Sequence, residues 1–172
     1  MKHFNKPFYL LFAIFSCCSL LCGCAEKEVT CPFTEANWEN TSEEILALEP
    51  ELTEGGESSY YGDSYIGPKT YQDLAGTIQY MFDEDGKLAL IQWSYKAVTA
   101  DDAQTLYQTL HRDLEDKYGE GDFNSKFSSS IGGDVWYLEN GNIILMYAEV
   151  SDYQAVQLSF VSPDHSLDNP NK

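Results

Sequence analysis

Basic side chains are scarce in this sequence. Its 172 residues carry 10 Lys and Arg against 28 Asp and Glu, for a formal net charge of −18. A nucleic-acid binder needs a basic footprint to displace counterions from phosphate, so that class is excluded. Adhesion to anionic lipid by charge alone is disfavoured for the same reason. Histidine is sparse too, with only His3, His111 and His165. No set of ligands falls at zinc spacing, and no Gly-x-Ser-x-Gly elbow precedes a helix. The glycine pairs Gly119/Gly121 and Gly132/Gly133 do not lie between a strand and a helix, as a phosphate loop does. Four of the five cysteines fall within the first 24 residues, and only Cys31 lies beyond them.

What is present near the start is an apolar run. Lys2 and Lys6 precede Phe8 to Leu21, which has the length of a secretory h-region and is short for a membrane span. The stretch Leu21-Cys22-Gly23-Cys24 that closes it resembles the lipobox of bacterial lipoprotein signals, with Cys22 in place of the more usual alanine or serine. That resemblance implies cleavage before Cys24 and a diacylglycerol on its sulfur. Residues 1–23 are then a signal peptide and 24–36 a lipidated tether. Cleavage removes two bases and no acid, leaving eight basic against 28 acidic residues, a net charge of −20. Two or more acyl chains hold a protein stably on a bilayer, where one holds it marginally. With Cys17, Cys18 and Cys22 gone and Cys24 acylated, Cys31 has no disulfide partner. It is expected in the tether or at the entrance to the domain.

Residues 37–162 read as one α+β domain, and 163–172 as a flexible, proline-punctuated tail. Thr41 followed by Glu44 is a capping box, and Pro50 closes the short helix that it opens, with Ile45 and Leu48 on one face. Ile78, Tyr80 and Phe82 alternate with polar residues, and Asp83–Lys87 turns the chain into a second strand, Lys87–Tyr95. Thr99 caps the best helix and Gly119 ends it. Ala103, Leu106, Tyr107, Leu110, Leu114 and Tyr118 make its apolar stripe. Asn140-Gly141 is a type I′ hairpin signal between two further strands, and a third runs over Ala155–Val161. The expected order is helix, three strands, helix, three or so strands. Two helices on one face of a curved antiparallel sheet satisfy it, and the matching plan of the halves suggests a two-fold α-β-β-β repeat.

The stretch "YMFDEDGKLALIQWSY", the helix ending "KYG" and the hairpin "VWYLENGNIIL" resemble small lipoproteins of clostridia-type bacteria, mostly of unassigned role. The plan is also similar to the β-lactamase-inhibitor-like and outer-membrane-assembly lipoprotein folds. That likeness is of architecture and transfers no catalytic residue.

No cofactor, metal or catalytic residue is assigned. Asp83–Gly86 is acidic enough to raise a calcium reading, but Lys87 occupies a ligand position and a hairpin turn accounts for it. The aromatics are more informative, because Tyr and Trp give recognition surfaces large area at low entropy cost. The candidate ligand surface is Tyr60, Tyr61, Tyr65, Trp93 and Trp136, on the sheet face away from the helices and rimmed by 55–68 and 121–133. Alternation sends half of any strand inward, so core remains the competing reading for each. The expectation is a non-catalytic binding or adaptor module. It would be lipid-anchored at the extracytoplasmic face of the cell membrane and bind a protein, peptide or envelope partner. The alternatives are an extracytoplasmic hydrolase using carboxylates, or an accessory subunit of an envelope assembly or transport complex.

Overall fold

The computed structural model describes residues 29–123, 131–150 and 153–170. The expected signal peptide, Cys24 and part of the 121–133 loop lie outside them. The element order is α1 (Ser42–Leu48), β1 (Thr53–Glu57), β2 (Tyr61–Tyr71), β3 (Leu74–Asp83), β4 (Leu88–Ala97), α2 (Ala100–Tyr118), β5 (Asp122–Phe123), β6 (Ile131–Leu138), β7 (Gly141–Val150) and β8 (Tyr153–Val161). A 3₁₀ turn, Pro163–His165, follows. All eight strands join one antiparallel sheet in the order β1-β2-β3-β4-β8-β7-β6-β5. Each half contributes a meander, and the two meanders meet where β4 pairs with β8.

Each half therefore has four strands where three were expected. The extra strand in each half carries no periodic signal. β1 is Thr-Glu-Gly-Gly-Glu and exposed throughout, and β5 has two residues. β2, through a stretch rich in Gly and Ser, runs for 11 residues between β1 and β3.

The helices start and stop as their caps dictate. Thr41 Oγ1 accepts from the Glu44 N–H, and the Glu44 carboxylate accepts from the Thr41 N–H at 2.9 Å. Ile45 is fully buried, but Leu48 is 45% exposed, because a seven-residue helix reaches the core with one side chain. α2 is capped by Thr99 Oγ1 on the Asp102 N–H and stops at Gly119, whose φ of +91° is a region that disfavours side chains. Ala103, Leu106, Leu110 and Leu114 are buried against the sheet, and Tyr107 and Tyr118 are half-buried beside them.

The inner face of the sheet supplies the rest of the core. Tyr80, Ile91, Phe160, Ile143 and Trp136 are successive cross-strand neighbours in one row. Ile78, Trp93, Leu158 and Leu145 form the next. Ile45 and the α2 leucines join this same cluster, so both helices cover one face.

The domain also starts earlier than residue 37. Val29 and Phe33 are buried, and Phe33 packs edge-on to Tyr71 and Phe160 with ring centroids 5.4 and 5.7 Å away. A large apolar side chain beside an open core edge is drawn in, whatever the polarity of its neighbours. Cys31 goes with it, and burial pushes its thiol up to about 12, against the partial relief of the Phe33 N–H, Lys69 and the Thr34 N–H. Such a thiol is not a nucleophile at neutral pH.

Candidate functional site

The sheet face opposite the helices is set by strand register. Ser64, Met81, Leu90, Val161, Asn142 and Tyr137 lie side by side across six strands. The next row is Ile66, Gln79, Gln92, Ser159, Ile144 and Val135. The third is Pro68, Thr77, Ser94, Gln157, Met146 and Gly133. None of these positions is acidic, in a chain with 28 carboxylates. The first acid met along a row is Asp122 on the short edge strand, where its carboxylate accepts from Asn169 Nδ2 at 3.0 Å.

The polar groups of this face bond to one another. Gln92 Nε2 donates to Ser94 Oγ at 3.2 Å, and Gln92 Oε1 accepts from Ser159 Oγ at 3.2 Å. Ser159 is buried, and its bond fixes the half-buried Gln92, which with Ser94 holds amide and hydroxyl groups at the surface without the desolvation cost of a charge. Met81 and Met146 sit among them, and methionine adapts to irregular partner surfaces.

The aromatics named in the sequence are distributed differently. Trp93 and Trp136 are buried, at 0% and 2% exposure, on the inner face. Trp93 lies opposite Ile78 and Leu158, and so shares their direction. Its Nε1 donates to Lys69 O at 3.0 Å, and Trp136 Nε1 donates to Gly119 O at 2.8 Å. Tyr65 also faces inward, edge-on to Phe82 with 6.0 Å between centroids. These three belong to the core and are removed from the candidate surface. Tyr60 is half-buried against the His165 ring. Tyr61 alone is widely exposed, at 78%. It holds φ at +70°, and with Glu57, Asp63, Asp83 and Glu84 it borders an open cavity of about 460 Å³.

A Ser-His-Asp chain that the sequence did not suggest closes the C-terminal end. His165 Nε2 lies 3.1 Å from Asp83 Oδ2, and its Nδ1 lies 2.8 Å from Ser162 Oγ. With Nε2–H facing the carboxylate, Nδ1 accepts from the serine hydroxyl. Ser162 is only 3% exposed, and its backbone N–H is spent on Ala89 O. The chain is therefore a clasp rather than a poised nucleophile. It joins the residue after β8 to the β3–β4 turn. Further along, the Leu167 N–H donates to Asn142 Oδ1, and Asn169 reaches Asp122. The segment expected to be a flexible tail is thus bonded to the domain through residue 169.

Burial pushes the Asp83 carboxyl up, but the N–H groups of Lys87 and Asp85 and the charge and hydrogen bond of His165 outweigh it and hold the group below its ordinary value. A depressed folded-state value stabilises the clasp above the unfolded value and loses it as pH falls through the folded one. The clasp should therefore weaken only below about pH 4. His165→Ala removes two hydrogen bonds and should cost about 1–2 kcal/mol. Hydrogen exchange at 162–169 should rise in that variant at pH 7, and in the wild type only in acid.

A second polar chain lies under α2. Tyr107 donates to Asp134 Oδ2, His111 Nε2 lies 3.4 Å from the same oxygen, and His111 Nδ1 lies 3.4 Å from Glu115 Oε2. Asp134 takes the inner-face position beside Leu145, so these partners satisfy a carboxylate that the fold buries. The cavity of about 510 Å³ near the chain entrance is lined by Phe33, Thr34, Glu35, Glu49, Lys69 and Tyr71 among others. Glu49 is committed there to Lys69, at 2.5 Å. Among the described residues no three His, Cys, Asp or Glu side chains converge on a metal position, and no helix is long and apolar enough to cross a membrane. Comparison with protein-family models, curated proteins and solved structures finds no match.

Proposed function

We propose that this chain is a lipid-anchored extracytoplasmic protein of the cell envelope, acting as a non-catalytic binding or adaptor module. Its helix-free sheet face engages a protein partner. The observation that carries this reading is the absence of acids from all three rows of that face, in a chain of net charge −18. Ser64, Leu90, Val161, Asn142, Ser159 and Val135 are buried within the chain and acid-free for that reason, but the accessible positions, exposed Pro68 and Thr77 and half-buried Gln79, Gln92, Ser94 and Gln157, carry no acid either, as at the centre of an interface. The anchor rests on the lipobox at Leu21–Cys24 and on the resemblance to bacterial lipoproteins. The two halves are further read as a repeat, supported by one helix and one four-stranded meander in each and by their junction at β4 and β8.

In-cell photocrosslinking tests the face. A benzophenone side chain at exposed Thr77, in the third row, should yield a protein adduct on irradiation. The same group at exposed Thr105 on α2 should not. Adducts from Thr105 alone, or from both equally, would refute the assignment.

A further inference from the structure

We infer that the cavity beside Glu49 and Lys69 binds a free α-amino acid with an apolar side chain. The site lies on the helix side of the sheet, at the chain entrance, and is separate from the sheet face proposed above. Three observations carry it.

First, the cavity holds a pair of opposite charges with bonding capacity to spare. Lys69 Nζ donates to Glu49 Oε1 at 2.5 Å. Thr34 Oγ1 and the Tyr80 hydroxyl oxygen lie 2.7 Å apart, and each is 3.4 Å from that same carboxylate oxygen. One hydroxyl therefore donates to the other, and that one to the carboxylate. Glu49 Oε2 has no hydrogen-bond partner among the described residues, and Lys69 keeps two of its three N–H donors free. The Lys69 and Glu49 side chains are only 24% and 19% exposed. Water hydrates such groups poorly, so a ligand that supplies the missing partners restores hydrogen bonds that folding removed.

Second, both charges are held from behind. Tyr80 is fully buried beneath Glu49, and Trp93 Nε1 donates to Lys69 O at 3.0 Å, which pins the strand that carries the lysine. Groups already in place spare a ligand the entropy cost of ordering them.

Third, the lining selects what can enter. Its acids are Glu35 and Glu49 and its one base is Lys69. A lone anion meets two carboxylates there, and a lone cation meets the lysine. A molecule with an ammonium and a carboxylate on one carbon satisfies both, the ammonium at Glu49 Oε2 and the carboxylate at Lys69 Nζ. Phe33, Tyr71 and Leu48 line the rest, and Leu48 is the α1 side chain left 45% exposed. The volume, about 510 Å³, falls within the roughly 300–1,000 Å³ of small-molecule sites.

Ligand-observed NMR and calorimetry with the full chain in detergent micelles test this, with L-leucine, L-valine and L-phenylalanine as probes. At least one should bind, and L-glutamate should bind more weakly, because its second carboxylate faces Glu35 and Glu49. The N-acetyl derivative of the best probe lacks the ammonium, and its methyl ester lacks the carboxylate. Each should bind about tenfold more weakly, the scale of one lost hydrogen bond to a charged group. Lys69→Met should bring the free acid and its ester to one affinity. Leu48→Arg sets a cation at an exposed helix position, where it competes for Glu49 Oε2. It should weaken binding about tenfold and leave the urea midpoint near that of the wild type. Binding of none of the three probes, equal affinity for the best probe and its two derivatives, or unchanged affinity in Leu48→Arg would overturn the assignment. Each of those results leaves the sheet face standing, since that reading is tested at Thr77.

Discussion

Replacing Trp93 by alanine should cost about 3–5 kcal/mol, a large part of the 5–15 kcal/mol or so that holds a typical domain folded. Trp93 is fully buried at the centre of the inner face. Its ring stands edge-on to Tyr71 at 5.4 Å and stacks on Tyr95 at 6.1 Å. Against its indole, Gly76 on β3 has no side chain because one would not fit. A Cβ there would fall 2.7 Å from the indole and 2.5 Å from Ser94 O. The core is built around this indole, and removing it opens a void that the paired strands cannot close. Far-UV circular dichroism in urea should show a midpoint lowered in proportion. Trp93→Phe keeps most of the volume but strands the Lys69 carbonyl, and should cost clearly less than the alanine. Equal costs for the two would place the energy in the hydrogen bond rather than the packing.

Cys24→Ala should abolish acylation outright. If the lipobox reading holds, the sulfur at position 24 is the only attachment point, and a chain of net charge −20 has no electrostatic hold on anionic lipid in its place. Labelling of growing cells with an alkynyl fatty acid should fall to background in the variant. Its intact mass should retain residues 1–23, where the wild type starts at Cys24 with lipid attached. A wild-type chain found unacylated, or cut elsewhere, would remove the anchor from the account and leave the sheet face untouched.

Local signals carried most of the elements. The capping box at Thr41, the cap at Thr99, the stop at Gly119 and the turns at Asp83–Lys87 and Asn140-Gly141 each rest on short-range stereochemistry, and each marks a boundary in the structure. Facing is another matter. Alternation says that Trp93 shares a side with Ile91 and Tyr95, but only the helices above β4 decide that this side is the core. The candidate site was therefore half legible. Its face could be placed away from the helices, and Tyr61 lies at its rim. Its composition could not be read until register aligned Gln79 with Gln92 and Ser94 with Gln157, residues that are far apart in sequence and unremarkable singly. The C-terminal segment failed for a related reason. Pro, Asn and Asp suggest a frayed end, yet Asn142 and Asp83 supply its partners from distant strands.

The central claim is that the acid-free sheet face is covered by a partner in the envelope. Met81 and Met146, the only methionines after Met1, both lie on that face, one in the first row and one in the third. Their rates of oxidation by hydroxyl radical can be compared by mass spectrometry in native membranes and in the purified protein. Both methionines should oxidise several-fold more slowly in membranes, while Tyr118 on α2 reacts equally in the two. Equal methionine rates, or slowing confined to the α2 side, would contradict the assignment of the face.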